Sequence, residues 1–568
     1  MHSIRNIISG KTLFDPLTAA SAIVILLVIL YWPVVSFQYI NYDDPNWIYN
    51  NPHIAGGLSL ASLCWAVTGV VNSTWCPLTN LSFILECQFF GVNPATSHLI
   101  NFLLHTANVL LLFRFLSRIF GWTPPAAGIT LLFAVHPMNV EAVAWISDRK
   151  GLLSALFLLL MLTKYFDYAK KASTKSYWQA VAFYGLSLAS KPTAITVPLM
   201  LILLDVWPLA RSDGRGKSRG QRALEKVPFF VLAGSDAIIA YKGQHDTAGI
   251  ASHPFLINVQ TAIIGCARYI ANLAWPMDLN VCYFHPGSWP WSLVLASAVL
   301  VTLCVATLGL WWRQDKKPLI CFALFVLGLA PVLELIPAGH CYMADRYTYL
   351  PYIWLMMVLA PPLCEIARKF PVILIPTGLA TSLLIWDTSQ QLACWKNSRT
   401  VFERALAVNP RNPVALVNLA AACSTQNDAG NAISHIDAAV NLDGENPFVQ
   451  LTAAQIYQQA GQYKAAYQHF KKACELCKSP LYLSSFAGFI STHPGLARPE
   501  EGLNAARLAM LIAPSAEAFD LYAITLALNR AFAPAIRCER EALVLEGANR
   551  LYKSHLAMFQ SKKFLTTE

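Results

Sequence analysis

Apolar runs dominate the first two-thirds of the chain. They fall near 17–38, 98–119, 126–146, 151–168, 177–190, 194–210, 227–241, 291–311, 318–337, 350–366 and 371–388. A helix needs about 20 apolar residues to cross a bilayer, and lipid offers the backbone no other partners, so each run reads as a membrane helix. The run 177–190 is the shortest. A further apolar stretch, 256–276, is treated as interfacial or re-entrant. From about Ser398 the texture changes: charge rises, apolar runs shorten and a period appears.

That period is 34 residues. It separates Ala405, Ala439 and Ala473, and also Ala420 from Ala454, Pro413 from Pro447, and Asn427 from Gly461. Small residues where helices touch, with Pro at the turns, predict tetratricopeptide repeats. Each unit is a helical hairpin that buries its apolar face only against its neighbours. About four units fit between 413 and 545, led in by a helix over 398–408 and closed by one over 547–560. The expected fold is all-α: a polytopic membrane bundle of about 11 crossings over 1–389, then an α-solenoid over 390–568.

Composition agrees. Of 568 residues, 55% are hydrophobic and 13% charged, against about 25% charged in soluble chains. The net charge of +10 does not point to nucleic acid, because the basic residues sit in short connections and form no stripe on a soluble fold. They set orientation instead. Clusters at 164–175, 211–226, 313–317 and 368–369 belong in the cytoplasm by the positive-inside rule. Eleven crossings with a cytoplasmic N-terminus satisfy all four. The connections 39–97, 147–150, 191–193, 242–290 and 338–349, and the repeats, then lie outside. Met1 to Thr12 carries Arg5 and Lys11, and no small-residue cleavage site closes the following run, so it reads as a retained first membrane helix. The 14 cysteines match no zinc pattern. Cys474 and Cys477 read as small buried hydrophobes.

Charged residues beside membrane helices need a reason, and several gather on the outer face. Asp43 and Asp44 follow the first helix in Asn41-Tyr42-Asp43-Asp44-Pro45. Adjacent carboxylates can tune one of the pair as a base or hold a cation, although a solvated Asp-Pro turn is the plainer explanation of the spacing alone. His136 opens His136-Pro137-Met138-Asn139-Val140-Glu141, where Glu141 stands in an apolar segment that runs on to Asp148, Arg149 and Lys150. Glu141 fits either a chemical role or a simple pairing with Arg149 or Lys150. Lys191 lies in a short outer turn, and Arg346 sits among aromatics in Asp345-Arg346-Tyr347-Thr348-Tyr349. An Arg fork there suits a phosphate at headgroup level; anchoring by an aromatic belt is the plain alternative. Glu86, His285 and His340 are weaker candidates, and Asp205 reads as orienting the cytoplasmic end of its helix. No Gly-rich nucleotide loop accompanies these residues, which disfavours a soluble nucleotide donor.

The chain resembles bacterial membrane proteins with C-terminal tetratricopeptide repeats, related to the transmembrane-and-tetratricopeptide-repeat O-mannosyltransferases of the GT-C class. The segments that carry the resemblance occur in order at 42–54, 85–105, 136–157, 190–209, 275–287 and 343–351, followed by the repeats. The resemblance implies a glycosyltransferase that moves a sugar from a polyprenyl-phosphate donor to an extracytoplasmic protein, inverting the anomeric centre. It implies that Asp43 or Asp44, Asp43 preferred, acts as base or orients the acceptor, with Glu141 as second acidic position. Arg149, Lys191 and Arg346 would hold the donor phosphate. No obligatory metal is expected, although relatives using pyrophosphate donors take a divalent cation. Glu86 stands where the family more often has Asp. The repeats would hold the acceptor protein, and the location would be a bacterial inner membrane with the repeats periplasmic. A non-catalytic membrane scaffold and a lipid or glycan transporter are the competing classes. The latter often shows internal symmetry, and none is detectable in the sequence.

Overall fold

The computed structural model describes residues 15–562 except 122, 212–217, 246–253, 336–340, 494, 497 and 548. The chain forms two compact units, Met1–Val408 and Asn409–Glu568.

The first unit opens with α1 (Pro16–Tyr31). The first outer connection folds as α2 (Pro52–Ala55), α3 (Leu60–Thr68), a two-stranded hairpin of β1 (Val70–Val71) and β2 (Thr74–Trp75), and α4 (Pro77–Phe90). Then come α5 (Pro94–Phe120), α6 (Pro124–Val135), α7 (Val140–Ala144), α8 (Arg149–Lys171), α9 (Thr174–Ser190), α10 (Val197–Val206), α11 (Arg219–Leu224) and α12 (Val227–His245). The unit continues through α13 (Phe255–Ala274), α14 (Trp291–Trp311), α15 (Lys317–Leu329), α16 (Pro351–Lys369), α17 (Leu374–Cys394) and α18 (Ser398–Val408). Among the described residues, each apolar run expected to cross the membrane contains a helix. Many begin with Pro in the first turn, where its missing N–H costs nothing.

Among the described residues, five helices are long and apolar enough to span a bilayer: Pro16–Ser36, Pro94–Phe120, Ile146–Lys171, Trp291–Trp311 and Pro371–Cys394. A sixth counts if the pair Pro124–Val135 and Pro137–Ala144, bent by 57°, is one broken span. The remaining apolar helices are shorter or more polar. α14 and α17 expose apolar side chains such as Leu295, Val299, Leu303, Leu379 and Leu383. A face this apolar needs lipid or another apolar surface to cover it. α13, the ambiguous stretch, is amphipathic; it buries Asn258, Gln260 and Thr261 and lies outside the spanning set.

Breaks in helices aim the chemistry inward. His136 is extended (φ −77°, ψ 129°) before Pro137, as the residue before a proline prefers. The resulting bend buries Glu141. The connection 242–290 is tied to 338–349 by a Cys282–Cys341 disulfide, Cα atoms 5.4 Å apart. The spacing of the cysteines did not reveal it. Tyr342 N–H donates to the Tyr283 carbonyl at 2.9 Å beside it.

α18, expected to lead into the repeats, packs with the first unit. Asn41 N–H donates to Ser398 Oγ at 2.9 Å, and Phe402 meets Tyr42 edge-on with ring centres 6.3 Å apart. The compact unit therefore ends at 408, beyond the 389 read from the texture of the sequence.

The second unit is four helical hairpins: α19 (Pro413–Thr425) with α20 (Ala429–Asp443), α21 (Pro447–Gln459) with α22 (Tyr463–Leu476), α23 (Pro480–Thr492) with α24 (Pro499–Ile512), and α25 (Ala516–Leu528) with α26 (Phe532–Leu545). A final helix, α27 (Arg550–Gln560), closes the stack. Ala420, Ala439, Ala454 and Ala473, the periodic alanines of this unit, are all fully buried. Their small side chains let helix backbones approach. Asn412, Asn446 and Ser515 cap the first helices of the first, second and fourth hairpins through their side-chain oxygens, satisfying free N–H groups. Asn427 and Gly461 end the first helices of two hairpins at φ +59° and +73°, the left-handed conformation that favours these two residues.

Candidate active site

The two aspartates after α1 do different work. Asp44 is fully buried. One carboxylate oxygen accepts from Ser147 N–H at 3.1 Å and from the Ser147 hydroxyl; the other accepts from Ile40 N–H at 2.8 Å. Burial pushes its carboxyl up to about 6, against the pull of these donors. Asp44 therefore stitches the loop to the turn before α8. Asp43 keeps a side chain 23% exposed. It accepts from Asn72 Nδ2 at 2.9 Å and faces Lys150 Nζ at 3.8 Å. Of the pair, Asp43 is the one an incoming group can reach.

Glu141 and Arg346 form the next element. Arg346 donates its backbone N–H to one Glu141 oxygen at 2.8 Å and its guanidinium to the other. The guanidinium carbon lies 4.8 Å from the Trp145 ring centre and 4.9 Å from that of Tyr347, so the cation is sandwiched as well as paired. The neighbouring Asp345 accepts from the Tyr283 hydroxyl at 2.7 Å. Burial, joined by the Glu141 charge, raises its carboxyl well above the usual range.

Lys191 ends α9 and reaches Asp148 with Nζ at 2.7 Å. Both residues line a cleft together with Arg346 and Tyr347. Lys191 and Arg346 both approach the Tyr347 ring, at 5.9 and 4.9 Å, while Leu158, Leu162, Met200, Leu201, Val332 and Trp354 supply apolar wall. Lys150 stands between the cleft residues and Asp43. Its ammonium is 4.8 Å from the Trp47 ring centre and 5.9 Å from that of Trp145. Trp145 thus carries Arg346 and Lys150 as neighbours. The arrangement can receive an amphiphile: an anionic group at the cations, an apolar chain along the leucines.

Asp43, Glu141, Lys191 and Arg346 belong to this constellation. Arg149 does not. It is fully buried and directed at Glu86, Asn101 Oδ1 at 3.0 Å and the Ser97 carbonyl at 3.0 Å. Glu86 also takes the Ser97 hydroxyl. The two are each other's partners, and Arg149, fully buried, is not among the residues that line the cleft. Glu141 in turn pairs with Arg346 instead of Arg149 or Lys150. His136 accepts from Met138 N–H at 3.3 Å and bonds the Leu273 carbonyl at 3.1 Å, a structural role at the bend. His285 bonds Thr261 Oγ1 at 2.9 Å and accepts from Gly287 N–H. His340 lies outside the described residues. Asp205 accepts from Lys226 at 2.5 Å and from the Tyr165 hydroxyl at 2.8 Å, in keeping with an orienting role.

Asp148 and Lys150 are the site residues that sequence reasoning passed over. Ser147, Asp148, Arg149 and Lys150 are consecutive, and consecutive helical residues point about 100° apart. A run of charges shows that a charged turn exists, not which member faces the cleft.

A family profile described as tetratricopeptide repeat matches residues 449–480. The protein O-mannosyl-transferase Tmtc1 of Drosophila melanogaster is 32% identical over 200 residues, covering 33% of this chain and 23% of that one. The Homo sapiens protein O-mannosyl-transferase TMTC1 is 23% identical over 470 residues, covering 71% of this chain and 52% of that one. The Mus musculus protein O-mannosyl-transferase TMTC2 is 36% identical over 151 residues, covering 25% of this chain and 17% of that one. The aligned segments span about half the length of these relatives or less.

Proposed function

We propose that this chain, similar to protein O-mannosyl-transferases of Drosophila melanogaster and Homo sapiens, is a membrane glycosyltransferase of the GT-C type. It moves a sugar from a polyprenyl-phosphate donor to a hydroxyl of an extracytoplasmic protein. The observation that carries this reading is the amphiphilic cleft, whose wall combines Lys191, Asp148, Arg346 and Tyr347 with apolar side chains such as Leu158, Leu162 and Trp354. A lipid phosphate fits that division; a soluble nucleotide sugar would leave the apolar wall unused.

In the proposed reaction, Asp43 takes the proton of the acceptor hydroxyl as its oxygen attacks the sugar's anomeric carbon. The bond from that carbon to the phosphate oxygen breaks and the electron pair leaves on the polyprenyl phosphate. One in-line displacement inverts the anomeric centre. Lys191 and Arg346 stabilise the charge that develops on the leaving phosphate. Glu141 fixes the Arg346 fork, and Asp148 orients Lys191. Asp44 holds the loop that carries Asp43.

Charge bias supports an outward-facing site, with the basic connections in the cytoplasm and eleven crossings. The Cys282–Cys341 bridge supports it further, since disulfides persist in oxidising compartments. On this reading the repeats are extracytoplasmic and bind the acceptor protein, and the membrane is a bacterial inner membrane.

The test is transfer of radiolabelled sugar from a polyprenyl-phosphate mannose donor to extracytoplasmic protein in isolated membranes. Wild-type chain should support labelling and Asp43→Asn should abolish it. Equal labelling by the two would sink the assignment of Asp43. No labelling by either, with the donor also absent from purified protein by mass spectrometry, would favour a scaffold role.

A further inference from the structure

Three consecutive helices of the repeat unit converge on one point near its end. Asp520 on α25, Glu539 on α26 and His555 on α27 each place a ligand atom within 4.8 Å of the other two. All three are buried, at 7%, 0% and 6% exposure. His555 Nδ1 and Asp520 Oδ1 are 2.5 Å apart. Glu539 differs: both its carboxylate oxygens are sealed from solvent, no donor reaches either, and the neighbouring group is the like-charged carboxylate of Asp520. Among the described residues, the ion pair at this cluster is His555 with Asp520; no lysine or arginine joins it.

An ionised carboxylate sealed without a partner is far too costly to leave alone. It must be neutralised by a proton or by a cation. The ligand set speaks for a cation. One imidazole and two carboxylates suit a zinc-type ion, which takes such ligands at about 2.0–2.2 Å. Ligand atoms on a tetrahedral ion at that distance stand about 3.3–3.6 Å apart, inside the 4.8 Å within which the three lie. We infer that Asp520, Glu539 and His555 form a binding site for one divalent transition-metal ion, which clamps the closing helix α27 onto the last hairpin.

The consequence is mechanical. A solenoid is held by nearest-neighbour interfaces, and its terminal helix has a neighbour on one side only. A metal bridging α25, α26 and α27 adds a bond between elements that otherwise rely on packing, and its binding energy becomes folding energy. The small exposure of Asp520 and His555 gives the ion a way in and leaves a coordination position for water. The inference rests on the repeat unit alone and is independent of the transferase reading.

The test uses the full chain in detergent, stripped with EDTA and titrated with Zn2+ by calorimetry, with bound metal counted by mass spectrometry. One zinc per chain is expected, with affinity falling at least tenfold in Glu539→Gln and in His555→Gln. Co2+ should give visible d–d bands in the wild type that both variants lose. Wild-type protein that retains no zinc and shows no cobalt bands would overturn the site, whatever the variants do. So would zinc binding unchanged in both variants, which would leave a shared proton as the neutralising partner of Glu539.

Discussion

Arg346 grips Glu141 twice, with its backbone N–H at 2.8 Å and with its guanidinium. A residue that binds one carboxylate through both main chain and side chain is fixed in position and in angle. That is what a phosphate-holding cation needs before its ligand arrives. The same pairing joins α7 to the 345–348 turn, which lie far apart in sequence.

Glu141→Ala should therefore lose on two counts. It leaves Arg346 as an unpaired buried charge, which typically costs about 3–5 kcal/mol. Thermal unfolding in detergent should show a lower midpoint. Glu141→Gln, which keeps the shape and one acceptor, should fall between Ala and wild type. Its activity loss should appear at low donor concentration, because the change acts through Arg346.

Arg149 and Glu86 should behave as a structural pair. Either Arg149→Met or Glu86→Leu alone breaks a buried ion pair and should destabilise by about 3–5 kcal/mol. The double change restores electrical balance and should recover part of that loss. Donor affinity should be unchanged in any variant that folds. Weakened donor binding in a folded Arg149→Met protein would return Arg149 to the cleft.

Asp44 sets a pH signature. Its folded carboxyl sits at about 6, above an unfolded value near 3.9. Between those values the folded state holds the proton and the unfolded state does not. The stabilising effect is thus full below about pH 4 and is lost as pH rises through about 6, a swing of about 3 kcal/mol. Unfolding midpoints measured from pH 4 to 7.5 should show this fall, and Asp44→Asn should remove that component.

The Cys282–Cys341 bridge closes a loop with a sequence separation of 59. A cross-link over such a loop is worth about 4 kcal/mol in the chain-entropy treatment. Cys282→Ser should lower the unfolding midpoint, and Cys341→Ser should lower it equally, with no further loss in the double variant. Alkylation under non-reducing conditions that labels both cysteines in native protein would contradict the bridge.

In the repeats, Gly461 at φ +73° should tolerate alanine poorly, at a cost of about 1 kcal/mol. Asn427→Gly at the equivalent position should be close to neutral. Denaturant midpoints of the two variants make the comparison.

Much of this architecture was legible in the sequence, and the reason is periodicity. A bilayer demands long apolar helices, and a solenoid demands small residues at a constant step; both demands act on neighbours in sequence and leave a pattern there. The eleven apolar runs, the 34-residue step and the paired turn residues Asn427 and Gly461 are of that kind. The pairings of the site are not. Glu141 could equally have met Arg149 or Lys150, and only the bend at Pro137 delivers it to Arg346. Asp43 and Asp44 are adjacent and chemically identical, yet one is sealed by Ser147 and Ile40 while the other stays open. The three ligands at 520, 539 and 555 sit on three different helices and share no local pattern. Local sequence determines which segments become helices and which faces seek lipid or one another. Tertiary packing decides which charges meet, because buried charges must find partners and those partners come from distant segments.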